Sequence, residues 1–136
     1  ETVYDLTQHR GDASMIRNIE LLKDSGEFQD IELITRKDFV SGHAFIAGEN
    51  SALRDDIVRR TPPGAAVVEM EAFAVFKAFE KCRKQHPGVS VAVIKGISDR
   101  GDNQAQEGKE ARQIKATRNS MAVAWKLALN LASSRP

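Results

Sequence analysis

Three observations predict an α/β fold, a sheet of mostly parallel strands covered by helices. Short apolar runs that suit strands alternate along the chain with amphipathic segments of helical period. The run VSVAVIKGI (89 to 97) is apolar on both faces, as a strand covered on both sides must be. The polar residues richest in chemistry follow these runs, at the carboxyl ends where open α/β sheets hold their ligands.

The elements follow in order. Residues 2 to 4 (TVY) read as the tail of a strand. From Asp12 to Asp24 the apolar residues Met15, Ile16, Ile19 and Leu22 recur at helical spacing, with Asp12 as N-cap and Ser25-Gly26 as the stop. IELITR (31 to 36) suits a strand and FVSGHAFIAG (39 to 48) a loop. Residues 51 to 60 suit a short helix, closed by Thr61-Pro62-Pro63-Gly64, which cannot continue one. AAVVEM (65 to 70) reads as a short strand and EAFAVFKAFEKCRK (71 to 84) as an amphipathic helix. His86-Pro87-Gly88 turns into the strand 89 to 97, and a polar loop (98 to 108) follows. A long helix runs from about Lys109 to Ala132, with Ile114, Met121, Trp125 and Ala128 on one stripe.

The 136 residues suffice for one domain with a real core and are too few for two. With 41% hydrophobic and 29% charged residues, the expectation is a soluble globular protein. A net charge of +1, with acids and bases mixed, gives no footing to nucleic acid or an anionic membrane, which need a concentrated basic face. Arg59-Arg60 and the cluster Lys81 to Lys84 read as solvated helix ends or faces. The single cysteine, Cys82, lies at helical spacing from Phe76 and Phe79 and reads as a small packing residue. One unpaired thiol, no signal peptide and no apolar stretch near the roughly 20 residues of a membrane span point to a cytoplasmic protein. The chain begins at Glu1, so a processed or longer parent chain is expected.

Three polar features stand at strand ends: Gly42-His43, Glu69-Met70-Glu71 and Ser98-Asp99. Asp99 is either a cap or turn aspartate, or a carboxyl at a partly desolvated rim able to donate a proton near neutral pH. Glu69 and Glu71 share a face in extended backbone, although Glu71 also suits the first turn of a helix, where the macrodipole favours an acid. An acid inside a strand needs a partner or a ligand, because an unpaired buried carboxylate is costly. The vicinal hydroxyls of a sugar fit such a group, both donors pointing at its two oxygens. Phe45, Ile46 and Met70 suit apolar walls, or equally a core. His9, His43 and His86 are scattered without ligand spacing, so no metal site is expected. Glycine-rich dinucleotide and P-loop patterns are absent from the sequence, and Ser41-Gly42-His43 lacks a nucleophile elbow.

VVEMEAFA (67 to 74) and VIKGISDRGD (93 to 102), with SGHAFI (41 to 46) upstream, resemble the purine nucleoside phosphorylase and nucleosidase superfamily. The resemblance is nearest to its 5′-methylthioadenosine/S-adenosylhomocysteine nucleosidase branch and to phosphorylase-like domains of larger signalling proteins. It implies a three-layer αβα phosphorylase-like sheet, with residues 1 to 136 forming only the C-terminal part of that domain. The half that supplies the opening strands, the phosphate or water pocket and the acid that activates the nucleophile would lie elsewhere.

The implied activity is cleavage of the N-glycosidic bond of a purine nucleoside, hydrolytic in preference to phosphorolytic, with no cofactor beyond phosphate as a possible co-substrate. By resemblance Asp99 is the acid to the leaving base, and Ser98 helps hold its loop. Glu71 holds the ribose hydroxyls, Met70 lines the sugar pocket, and Glu69 is the first acid of the block. Phe45 stacks on the base, and the backbone of Ile46 reads its edge. The family implies a homo-oligomer or a longer chain. His43 stands where the nucleosidases usually carry a small or acidic residue, and Lys95 where they often carry arginine. Arg112 falls near the arginine that backs the acid in phosphorylases, though a surface arginine is the simpler reading. Two other readings stand beside this one: a nucleoside-binding or regulatory module without turnover, and an interaction domain whose carboxylates are only caps.

Overall fold

The structure, a computed structural model, describes residues 12–36, 39–41, 67–99 and 108–133. Among the described residues there are three helices and one pair of strands: α1 (Ala13–Asp24), β1 (Phe39–Ser41), β2 (Val67–Glu69), α2 (Ala72–Gln85) and α3 (Lys109–Ser133). The residues expected at 2 to 4, most of the loop at 39 to 48, the short helix 51 to 60 and its Pro-Pro closure lie outside the described residues.

The three-layer αβα sheet is not what forms. Among the described residues helices dominate, and the sheet is a single parallel pairing, β1 with β2, from Phe39↔Val67 to Ser41↔Glu69. Two expected strands carry no ladder. Residues 31–36 are irregular, yet Ile31, Leu33 and Thr35 are half-buried while Glu32, Ile34 and Arg36 are exposed. The alternation therefore reports one-sided packing on the helices, and period 2 reads the same with or without a neighbouring strand. Arg36 ends the extended run in the left-handed region at φ 56, its guanidinium on Glu20 of α1. Residues 89–97 are likewise irregular. Val91, Ala92, Val93 and Ile94 are all half-buried, Ile94 against the core, while Val89 and Ile97 at the ends of the run are exposed. Conversely, β1 forms where a loop was expected.

α1 forms as its sequence predicts. The Asp12 carboxylate accepts from the backbone N–H of Ser14 at 2.8 Å and of Met15 at 3.3 Å, satisfying amides that a helix start leaves without partners. These bonds and one from the Ser90 hydroxyl, led by that of the Ser14 hydroxyl, hold the Asp12 carboxyl down at about 2. Gly26, at φ 74, takes the chain out of the helix.

The core lies between α1 and α3. Leu22, Val123 and Leu127 are buried there, with Met15, Ile19, Phe28, Leu33, Ile94 and Leu131 packed around them. On α3 the inward stripe is Ala116, Val123, Leu127 and Leu131. The stripe read from the sequence, Ile114, Met121, Trp125 and Ala128, faces solvent instead. α3 thus carries two apolar stripes, and periodicity cannot tell which one is covered. Cys82 is also exposed on α2 and not a packing residue.

Gly96 brings the 91–99 segment against α3. A Cβ added there would lie 2.8 Å from the Ala116 Cα and closer still to its carbonyl carbon and oxygen. Backbone meets backbone, and only glycine permits it. Gly96→Ala is expected to lower stability by about 1–3 kcal/mol, the usual range for overpacking, seen as a lower urea midpoint at unchanged slope. Gly88→Ala is the control, since its Cβ meets nothing within 4 Å. Equal midpoints for the two variants would remove the close approach as a constraint.

Candidate functional site

The parallel pairing sets the carboxyl ends of β1 and β2 side by side, with Ser41 next to Glu69. α2 begins three residues after β2, and Glu71 occupies its N-cap position without capping through its own side chain. Glu69 does that work from inside the strand. Its carboxylate accepts from the N–H of Glu71 at 2.8 Å and of Ala72 at 2.8 and 3.0 Å. Ser41 Oγ accepts from the N–H of Phe73 at 3.1 Å. The opening amides of α2 are thus satisfied by side chains from both strand ends.

Glu69 is buried at 7% exposure, which alone would disfavour its charge. Lys95 supplies the counter-charge, its Nζ 3.5 Å from Glu69 Oε2 and 2.6 Å from Glu71 Oε2. Burial pushes the Glu69 carboxyl up, but the Ser41 hydroxyl, the amides of Glu71 and Ala72, and Lys95 together hold it below the ordinary carboxylate range. The hydrogen bond to Glu71, working against burial and helped by the charges of Glu71 and Glu69, raises Lys95 above the usual lysine range. Both carboxylates also lie at the positive end of the α2 dipole.

The expected residues divide into two groups. Glu69, Glu71 and Lys95 are in direct contact, with Met70 between the two acids and 40% exposed. Ser98 and Asp99 lie further along the segment that carries Lys95, both half-buried. The Ser98 hydroxyl donates to Asp99 Oδ2 at 3.0 Å, and Arg112 Nε, from the first turn of α3, donates to the Ser98 carbonyl at 2.8 Å. Arg112 is therefore half-buried and engaged, not a plain surface arginine. Asp99 stands four positions after Lys95, so their Cα atoms are at most about 14 Å apart. Phe45, Ile46 and His43 lie outside the described residues.

Ser41 as an acceptor for α2 and Lys95 as a shared counter-ion were not anticipated. For Lys95 the signal was present: it is the one charge within VSVAVIKGI, and a lone cation in an apolar run points to a buried acid. For Ser41 no signal exists, because its role depends on the pairing of residues far apart in sequence. Among the described residues no cluster of histidine, cysteine or acidic side chains is arranged to hold a metal ion. Among them, too, no helix is long and apolar enough to cross a membrane. Comparison with family models, with characterised proteins and with solved structures gives no match.

The lowered Glu69 carboxyl has a consequence for acid stability. A group made more acidic by folding contributes stability that is complete above its ordinary value of 4.5 and is lost as pH falls through the lower folded value. Glu69→Gln is expected to cost about 1–3 kcal/mol at neutral pH, the range for hydrogen bonds to a charged group. In urea titrations from about pH 7 to about pH 3, the gap between parent and Glu69→Gln should narrow toward acid. A gap that stays constant across that range would remove the charged cap.

Proposed function

We propose that this chain carries the leaving-group and ribose side of a purine nucleoside site, at which the N-glycosidic bond is cleaved, by water in preference to phosphate. The reading is supported by the resemblance of VVEMEAFA and VIKGISDRGD to nucleosidases and phosphorylases, and most of all by the state of Glu71. Its carboxylate stands exposed at the start of α2, one oxygen on Lys95, while Oε1 meets no partner among the described residues. A carboxylate held in place on one side and open on the other suits the vicinal hydroxyls of a ribose.

In this reading the sugar lies against Glu71 and Met70 and the base lies toward Asp99, with Phe45 and Ile46 as its walls. Asp99 donates its proton to purine N7 as the bond from C1′ to N9 breaks, and the bonding electrons leave with the base. The positive charge gathered on the sugar is stabilised by the Glu71 carboxylate, and the oxygen of water, which gives up a proton to the solvent, or of phosphate then bonds to C1′. Ser98 and Arg112 hold the backbone before Asp99 and so aim the acid. Glu69 acts through its cap on α2, keeping Glu71 in position. We place this chemistry in the cytoplasm, on the single thiol and the sequence composition.

A second reading, nucleoside binding without turnover, is favoured by one observation: the Glu71 side chain is 68% exposed, which leaves the ribose side open to bulk water.

The test is base release followed by chromatography, with methylthioadenosine, S-adenosylhomocysteine, adenosine and inosine, each with and without phosphate. The protein should be the longest natural chain containing these residues. Turnover is expected, with Asp99→Asn reducing kcat by at least about 100-fold and Glu71→Gln impairing both kcat and KM. Saturable nucleoside binding with no free base would favour the binding module. Neither binding nor release by the folded protein would leave the carboxylates as caps.

A further inference from the structure

We infer that Gly96 is a positioning residue for Asp99: its backbone contact with α3 sets where the acid stands relative to Glu71. What Asp99 does there rests on the nucleoside reading above, whereas how it is held follows from packing alone. Gly96 is half-buried, and a Cβ on it would meet main chain at Ala116, 2.8 Å from the Cα. That contact falls between Lys95 and Asp99, the residues of this segment that reach toward the two ends of the site.

Alternate residues tie the segment to α3. Ile94 packs on the core formed by Leu22 of α1 with Val123 and Leu127 of α3. Gly96 lies on Ala116, and the Ser98 carbonyl accepts from Arg112 Nε at 2.8 Å. The contacts move from the core to Ala116 and then to Arg112, so the segment runs antiparallel to the helix. Arg112 and Ala116 are four apart and share a face of α3, about 6 Å along its axis. From Gly96 to Ser98, two residues of extended chain cover about 6.6 Å. The spacings match, so one segment meets both points without a bulge.

Alternation turns Lys95 and Asp99 to the other side, and the two differ in reach. Lys95 meets Glu71 through a flexible stem, with Nζ 2.6 Å from Oε2, and can follow a small backbone shift. Asp99 has no such slack. Its Oδ2 accepts from the adjoining Ser98 Oγ at 3.0 Å, and the Ser98 backbone is fixed by α3. A shift at Gly96 therefore passes to the acid, while Glu71 keeps its counter-ion. Misplacing a reacting group by about 1 Å can cost about a hundredfold in rate.

Urea titrations of the longest natural chain test the mount without substrate. Gly96→Ala pushes the segment off α3, so Arg112→Met should lower the midpoint clearly less in that background than in the parent. Lys95→Met should lower it equally in both. Equal effects of Arg112→Met in the two backgrounds would overturn the inference. If Gly96→Ala does not fold, the parent decides: a nuclear Overhauser contact between the Hα atoms of Gly96 and Ala116 is expected, and its absence is equally fatal. In the base-release assay, folded Gly96→Ala should lose about ten- to a hundredfold in kcat at nearly unchanged KM, which separates placement of the acid from lost binding. Parent-like kcat in this variant would also overturn the positioning role. Coupling of Gly96 to Arg112 in a parent that releases no base would sink the nucleoside reading and leave the mount of Asp99 standing.

Discussion

The buried carboxylate of Glu69 is the constraint on which this part of the molecule turns. It ends β2, and it accepts from the two amides that open α2. It lies beside Ser41 at the end of β1, and it draws Lys95 from a segment more than twenty residues away. Strand, helix and connecting segment therefore meet at one charge. A pairing of three residues per strand is too short to hold itself together, and the shared acid supplies a tie that the ladder lacks. Burial penalises that charge, and the bonds converging on it outweigh the penalty.

Two carboxylates two residues apart divide the work because the backbone turns between them. In continuous strand, Glu69 and Glu71 would share a face. The strand stops at Glu69 and the helix starts at Ala72, so the first acid points inward at the helix amides and the second stands outside. Lys95 touches both and transmits the position of the fixed one to the exposed one. Rigidity thus lies in the capping acid, and the exposed acid two residues on is held from one side by the shared lysine.

How much of this the sequence made legible follows from the range of each signal. α1, with Asp12 as its cap and its stop near Gly26, was readable because caps and helical periods are local. The same holds for the extents of α2 and α3. What failed was pairing. Residues 31–36 and 89–97 have the apolar patterns of strands, and the structure gives them no ladder, packing Leu33 and Ile94 on the helical core and leaving Ile34, Val89 and Ile97 exposed. Hydrophobic pattern records which side chains leave water and not what they lie against. The same blindness misplaced the covered stripe of α3 and the surroundings of Cys82. At the candidate site, the need of Glu69 for a partner was readable from its position, whereas its partner Ser41, and Arg112 on the Ser98 carbonyl, depend on tertiary placement.

Gly96 carries a different kind of consequence. It rests on the carbonyl of Ala116, in the middle of a helix whose backbone is fixed by its own hydrogen bonds. A bulky side chain facing another side chain can be accommodated by trimming the neighbour, and such pairs can drift together over generations. Here the neighbour is main chain, common to every amino acid. No second-site change at position 116 can make room, so position 96 has no suppressor on the helix it touches and must vary alone or not at all.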